Sequence, residues 1–412
     1  MSPLKNSLFE ALRILRPDKK RVRMISTQTA IPDETLRFWD KNFLLPSEVE
    51  LEKLCAACGV SPIEVKLRMG IVDREMMHLL QRHAGELAAI LPKQPSGVPP
   101  GEPIRPRFET EFGALYEGNC IEVMRQYPSG GVQMIFADPP FNLDKEYPSK
   151  MDDKLRDEDY LSWCYAWIDE CVRILAANGS LFIYNLPKWN ITLAEYLSNK
   201  LIFRDWITID IKGHLPLSGR LYPSHYSLIY FCKGERPHVF HPDRVPMRVC
   251  PHCFGDLVDY GGYKNKMNPN GVNLTDVWTD IPLVRHSKYK KREGANELSI
   301  KLLDRVIEMA TDEGDLVFDP FGGSGTTYVV AEVKRRRWAG AEIGPLDDII
   351  RRIQEIDEER ELLQSIRANY NQLFTASVSR ERAKRRLWTC ESVRCVPDDP
   401  QLLFAGVQEQ PE

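Results

Sequence analysis

Apolar positions change their spacing once along the chain, and the change divides it. From Ser7 to Leu15 they recur at Leu8, Leu12 and Leu15, four and three apart, which predicts a helix with one apolar face. Arg21 to Ala30 predicts a second short helix, and Ile31-Pro32-Asp33-Glu34 opens a third with proline in its first turn. Pro46-Ser47 opens a fourth, with Val49, Leu51, Leu54 and Cys55 as its inner face and Gly59 as its stop. Ser61-Pro62 opens a fifth. The first part of the chain therefore predicts a compact all-α bundle.

Further on, short apolar runs alternate with helical patterns. Val132–Ala137, Gly179–Tyr184, Trp206–Ile211, Ser227–Cys232, Gly314–Asp319 and Trp338–Ile343 predict strands. Tyr160–Ala176 and Leu298–Ala310 predict helices between them, and Pro345–Thr375 predicts one long charged amphipathic helix. Strands alternating with helices predict an α/β body built on a mostly parallel sheet.

Between the two patterns lie six prolines from Pro92 to Pro106. Proline at that density blocks helix and favours extended chain. The expected organisation is a helical domain over 1–90, a linker over 91–107, an α/β body over 108–375 and a polar tail over 376–412. A length of 412 residues suits this division, at roughly 150 residues per domain.

Composition adds exclusions. Lys+Arg 55 against Asp+Glu 59 leaves a net charge of -4, which argues against a chain coated in positive charge but allows a local basic surface. No apolar run approaches the roughly 18–20 residues of a membrane span. Ten cysteines in 412 residues, with no signal-peptide core, lead us to expect reduced thiols in a cytoplasm.

Two segments carry candidate chemistry. Asp319-Pro-Phe-Gly-Gly-Ser-Gly-Thr-Thr327 follows an apolar strand and precedes a helix, and Glu342 ends the next strand. Glycines let a ligand approach the backbone, helix N-terminal amides can contact it, and a carboxylate at the next strand end can hold a ribose. The pair suits an adenosine-containing cofactor. Asp138-Pro139-Pro140-Phe141 follows a second buried strand. Adjacent prolines remove two amide donors, so a carboxylate, carbonyls and an aromatic ring are displayed together. That set suits a planar base with an exocyclic amine: Asp138 and a proline carbonyl accept its hydrogens, and Phe141 stacks on its ring.

Together these segments resemble the amino-group DNA methyltransferases that use S-adenosylmethionine, over roughly Ala114 to Asn371. Leu115–Cys120, Asp138–Phe141, Asp319–Thr327 and Gly340–Glu342 are similar to that family's motifs. The resemblance implies a Rossmann-like methyltransferase fold with circularly permuted motif order, because the tetrapeptide precedes the glycine-rich loop. It implies Asp138, Pro139, Pro140 and Phe141 as catalytic residues. It implies Asn119, Asp138, Asp319, Phe321, Gly323, Ser324, Gly325, Thr326 and Glu342 as cofactor-binding residues. Asp at the tetrapeptide's head resembles adenine-N6 members more than cytosine-N4 members. Two positions depart from the family: Asn119 stands where an acidic residue is usual, and Gly294–Ser299 lacks the usual lysine, with Asn296 or Ser299 as substitutes.

The implied reaction is direct methyl transfer to adenine N6 in double-stranded DNA, with the base flipped out of the duplex. Cytosine N4 is the alternative target. A DNA-binding regulator with an inactive body is a second alternative, favoured by the altered Gly294–Ser299 segment. Covalent transfer to cytosine carbon 5 needs a Pro-Cys, and none of the ten cysteines follows a proline. A restriction endonuclease and a second copy of the chain are further candidate partners.

Target recognition is expected over 233–292, ending in the basic run Arg285–Arg292, which suits phosphate contacts. Residues Lys145–Asp159 are expected to close over the base. Cys250 and Cys253, with His238 and His241 upstream, have the spacing of half a zinc site each, although a reduced turn fits the cysteines better. The N-terminal bundle resembles a Cro/repressor-type helix-turn-helix domain, with Ile25–Ala30 on its second helix and Asp33–Asn42 on its recognition helix. Residues 1–23 carry Lys5, Arg13, Arg16, Lys19, Lys20, Arg21 and Arg23 against Glu10 and Asp18.

Overall fold

A computed structural model describes residues 6–14, 17–90, 103–143, 154–210, 219, 221, 223–255, 268–282 and 297–391. The chain forms two compact units, Met1–Pro99 and Pro100–Glu412. The boundary falls inside the proline-rich stretch. Residues 145–153 of the expected loop Lys145–Asp159, the basic run 285–292, residues 294–296 and the tail beyond 391 lie outside the described residues, and Asp157–Asp159 are the first turn of a helix rather than loop.

Among the described residues the first unit contains helices and no strands: α1 (Leu8–Ala11), α2 (Lys19–Thr29), α3 (Asp33–Lys41), α4 (Glu48–Cys58), α5 (Pro62–Arg68), α6 (Arg74–Arg82) and α7 (Ala84–Ile90). Its starts and stops are local chemistry. Ser7 and Glu10 form a capping box at α1, Asp18 accepts from the Arg21 amide at α2, and Ser61 caps α5 with Pro62 in the first turn. Gly59 ends α4 in the left-handed region at φ 69°. Leu8, Leu12, Val22, Ile25, Leu36, Leu51, Leu54 and Val65 make the core. Val49, expected on the inner face of α4, is instead 63% exposed.

The second unit is built on one nine-stranded sheet. Its first half contains β1 (Phe108–Glu109), β2 (Gly113–Glu117), α8 (Cys120–Arg125), β3 (Val132–Ala137), α9 (Asp157–Ile174), β4 (Leu175–Asn185), α10 (Pro187–Ser198), β5 (Ile202–Asp210) and β6 (His225–Cys232). Three short strands follow, β7 (Arg244–Val245), β8 (Val272–Asn273) and β9 (Val277–Trp278). The second half contains α11 (Ile300–Ala310), β10 (Leu316–Asp319), α12 (Thr326–Val333), β11 (Arg337–Glu342), α13 (Asp347–Gln354), α14 (Asp357–Arg367) and α15 (Ala376–Lys384).

The sheet order is β1-β2-β11-β10-β3-β4-β6-β5-β9. From β2 through β4 all neighbours run parallel, whereas β6 is antiparallel to both β4 and β5. β10 follows β6 in the chain yet lies between β11 and β3, so the later motif is inserted beside the earlier one. β3 is buried along almost its whole length, which its unbroken apolar run requires. Apolar side chains cover both sheet faces in two separate clusters, one around Phe136, Leu303 and Val330 and one around Ile135, Trp167 and Leu193.

Two expectations about the C-terminal part are corrected. The single helix over 345–375 is two helices, broken at Glu355–Ile356. The tail assigned from 376 begins with a packed helix. Arg382 of α15 is 1% exposed, stacks over Phe374 and Trp388, and donates to the Phe254 carbonyl. Met247, Leu373 and Phe374 form a small core there with Val378 and Trp388.

Candidate active site

Parallel strands leave their C-terminal ends on one edge of the sheet, where α/β sites lie. Four such ends gather the expected residues. β2 leads to Asn119, β11 ends at Glu342, β10 leads into the glycine-rich turn, and β3 leads to Asp138.

The segment after β3 is held from both sides. The Pro140 carbonyl accepts from the Tyr160 hydroxyl at 2.6 Å, and the Phe141 carbonyl accepts from the Trp189 indole N–H at 2.8 Å. Asn185 donates to the same Tyr160 oxygen at 3.1 Å. Asn142, at φ 56°, exchanges two hydrogen bonds of 2.8 Å with the Leu155 backbone. Among the described residues the Pro139 carbonyl accepts no hydrogen bond, although Pro139 is buried. A buried acceptor left unpaired costs free energy, which a ligand donor removes. Of the three carbonyls of Pro139, Pro140 and Phe141, the one without a partner among the described residues is thus the one next to Asp138.

The aromatic part differs from expectation. Phe141 is 6% exposed and packs 5.5 Å from Tyr226 and 6.2 Å from Tyr184, so its ring is not displayed for stacking. Tyr226 is half-buried and lies 5.1 Å from Tyr184. Burial holds the Tyr184 phenol well above its ordinary range, and the charge of nearby Asp138 adds to the effect. The site wall at Asp138 is therefore apolar and carries a neutral phenol.

The glycine-rich turn is self-bonded. Gly323, at φ 52°, donates its amide to Glu342 Oε2 at 2.8 Å, and Gly344 donates to Oε1 at 2.8 Å. Asp319 is 3% exposed, and its carboxylate accepts from the Phe321 amide at 2.9 Å and from the Thr327 hydroxyl. Burial pushes its pKa up to about 7, against the lowering effect of those two donors. Asp319 therefore shapes the turn from behind. Ser324 and Thr326 are also buried, 3.1 Å apart between hydroxyls. Phe321 packs against Trp167 at 5.2 Å and Trp163 at 5.6 Å. Asn119 is exposed, but its side-chain oxygen caps α8 by accepting from the Ile121 amide at 2.9 Å, and among the described residues its amide hydrogens make no hydrogen bond.

The turn fits an adenosine-type cofactor by its bare side. A Cβ on Gly322 would meet the Tyr328 hydroxyl at 2.9 Å, whereas one on Gly323 would find only the Phe321 carbonyl at 3.8 Å. One face is closed by packing and the other presents open backbone.

Sequence reasoning missed the residues that hold these segments. Arg352 is 6% exposed and donates to the Ser324 carbonyl at 3.0 Å and the Thr326 hydroxyl at 2.9 Å. Glu359 at 2.7 Å and Glu297 at 3.4 Å balance its charge. The histidines and cysteines do not converge. His241 pairs with Asp312 at 3.2 Å, the Cys253 sulfur accepts from the Gly255 amide at 3.4 Å, and no group of three metal-ligating side chains forms among the described residues. No helix among them is long and apolar enough to cross a membrane.

A carboxylate-proline turn and a glycine-rich turn on one parallel-sheet edge define an α/β group-transfer site. The model of the DNA methylases of the N6/N4 type matches residues 132–347. The chain belongs to that family and is a DNA methyltransferase. It is 46% identical over 361 residues to Type II methyltransferase M.BamHI of Bacillus amyloliquefaciens, covering 86% of this chain and 85% of that protein. It is 28% identical over 244 residues to DNA adenine methyltransferase YhdJ of Escherichia coli (strain K12), covering 58% of this chain and 80% of that one. PvuII DNA methyltransferase (cytosine-N4-specific) superposes with a TM-score of 0.47 at 18% identity, covering 64% of this chain and 94% of that structure.

Proposed function

We propose that the chain is a type II modification methyltransferase that methylates an exocyclic amine of one base in double-stranded DNA. The observation that carries this reading is the Asp138-Pro139 turn at the end of β3, where the Pro139 carbonyl accepts no hydrogen bond among the described residues, beside two carbonyls that are already bonded. An exocyclic amine is a poor nucleophile because its lone pair is delocalised into the ring. Two acceptors on its hydrogens draw the nitrogen toward tetrahedral geometry and localise that pair. Positioning and electrostatics then carry the rate.

S-adenosylmethionine is the methyl donor, and supplies an electrophilic methyl group when bound. Glu342, Asn119 and the Phe321–Thr326 turn are the residues that would hold it. Glu342 would take the ribose at the strand end, and Asn119 would offer donors to the adenine. Asp319 and Arg352 keep the turn in shape from behind.

Adenine N6 is the target favoured by Asp138 at the head of the tetrapeptide. Cytosine N4 is the second reading, because the same acceptor pair serves either amine. The base is flipped out of the duplex to reach the pocket. The cytoplasm is the compartment, and a restriction endonuclease of the same sequence specificity is the cognate partner. The N-terminal unit is read as a helix-turn-helix module.

Unmethylated duplex DNA incubated with methyl-labelled S-adenosylmethionine and digested to nucleosides tests the proposal. Label in N6-methyladenine is expected. Label in N4-methylcytosine overturns the base assignment alone, and an unlabelled digest overturns the reaction.

A further inference from the structure

Four cations of the N-terminal unit share one cleft without an ion-pair partner among the described residues. Lys19, Lys20 and Arg23 of α2 and Arg37 of α3 line one cleft of about 700 Å³, with Asp33 as the only carboxylate in its lining. All four side chains are exposed, and among the described residues none of them makes an ion pair. Arg13, Lys66 and Arg68 of the same unit do, with Glu64, Glu48 and Asp73.

The cleft is a consequence of helix geometry. Lys19, Lys20, Arg23 and Thr27 share one face of α2, while Val22 and Ile25 bury the other in the unit's core. Lys19, Lys20 and Arg21 also occupy the first turn of α2, which contains no acidic residue. Cations are unfavourable at that positive end of a helix. Core packing does not demand them there, and a bound anion would add to the N-cap Asp18 in compensating them.

Extent identifies the anion. Lys19 to Arg23 covers about 6 Å of helix at roughly 1.5 Å per residue, and Thr27 extends the lining to about 12 Å. That matches three to four nucleotide steps at about 3.4 Å per phosphate along one strand. A single small anion would need the cations aimed at one point, whereas these are strung along α2 and joined by Arg37 from α3.

We propose that this cleft is a second DNA-contact surface, which takes the phosphodiester backbone of a duplex independently of the catalytic body. The proposal rests on the DNA methyltransferase reading only for the identity of the polyanion.

The test uses the full chain carrying Lys20→Glu, Arg23→Glu and Arg37→Glu together. Affinity for a duplex is measured at several salt concentrations. Each lost phosphate contact lowers the slope of log affinity against log salt by about 0.9, so three should lower it by roughly 2 to 3. Affinity at low salt should fall at least tenfold. S-adenosylmethionine affinity and the turnover rate at saturating DNA should stay as in the unaltered chain. The charge-retaining set Lys20→Arg, Arg23→Lys and Arg37→Lys should restore the slope. Glutamine at the three positions should reproduce the loss if the glutamates lower the melting temperature. An unchanged slope in both the glutamate and glutamine sets overturns the proposal. The two readings fail separately. Methylation with an unaltered slope sinks only the cleft, and cleft-dependent binding without methylation sinks only the enzyme assignment.

Discussion

Tyr160 holds the Pro140 carbonyl through a 2.6 Å hydrogen bond, from α9 onto the segment that follows β3. The bond does two things. It fixes the plane of the peptide after Asp138-Pro139, and it occupies the carbonyl that would otherwise compete with Pro139 for a substrate amine. Tyr160→Phe removes it and strips Asn185 of its partner at 3.1 Å. One net hydrogen bond is worth about 1 kcal/mol, so turnover should drop about fivefold. S-adenosylmethionine affinity should change less than twofold. Single-turnover kinetics beside calorimetric titration separate the two effects, and equal losses in both would show that Tyr160 merely supports the fold.

Asp138 is predicted to be indispensable for transfer and dispensable for holding the cofactor. Asp138→Ala removes the carboxylate acceptor and leaves the Gly323 and Glu342 pairing at 2.8 Å untouched. Labelled methyl transfer should vanish, and the binding isotherm for S-adenosylmethionine should persist. Asp138→Asn keeps one acceptor oxygen and should retain a small residual rate. Normal methylation by the alanine variant would remove Asp138 from the mechanism.

Asp319 gives the stability a pH signature. Its folded pKa of about 7 lies above its ordinary value of 3.8, so the folded chain binds this proton more tightly than the unfolded chain. The associated stability is complete below about pH 4 and is lost as pH rises through about 7. The loss is about 1.4 kcal/mol per pKa unit, an upper bound for a group whose surroundings relax. Melting temperatures of the unaltered chain and Asp319→Asn, taken from pH 5 to pH 8, check this. Their difference should change across that window and level off above it. Parallel curves would show that Asp319 does not titrate there.

The two motifs were legible because their chemistry is local. Proline and glycine act on the backbone where they stand, so Asp138–Phe141 and the turn after Asp319 could be placed at strand ends from the sequence. The residues that hold them were not legible. Tyr160, Trp189 and Arg352 reach their carbonyls from 20, 48 and 28 residues away, and helical periodicity accounts for each equally well as core. Phe141 was misjudged for the same reason: its burial is decided by Tyr184 and Tyr226, on strands β4 and β6. The break at Glu355–Ile356 was hidden because the apolar stripe of Ile349, Ile353 and Leu363 runs on across it.

Arg352 braces the cofactor turn from behind. Its guanidinium bonds the Ser324 carbonyl and the Thr326 hydroxyl while Glu359 and Glu297 neutralise it, all three side chains being 4–5% exposed. A planar fork can serve the turn and a carboxylate at once, whereas an ammonium is a point charge on a flexible stem. Arg352→Lys should therefore keep the pairing with Glu359 and lose the turn. The expected result is a rise of about tenfold in the dissociation constant for S-adenosylmethionine, with little change in melting temperature. Arg352→Met leaves two buried carboxylates uncompensated and should cost about 3–5 kcal/mol of stability. Glu359→Gln is the converse case. It weakens the neutralising pair and leaves the contacts to Ser324 and Thr326, so it should lower stability more than affinity. A lysine variant that binds S-adenosylmethionine like the unaltered chain would show that the turn holds its shape without Arg352, through Asp319 and Glu342 alone.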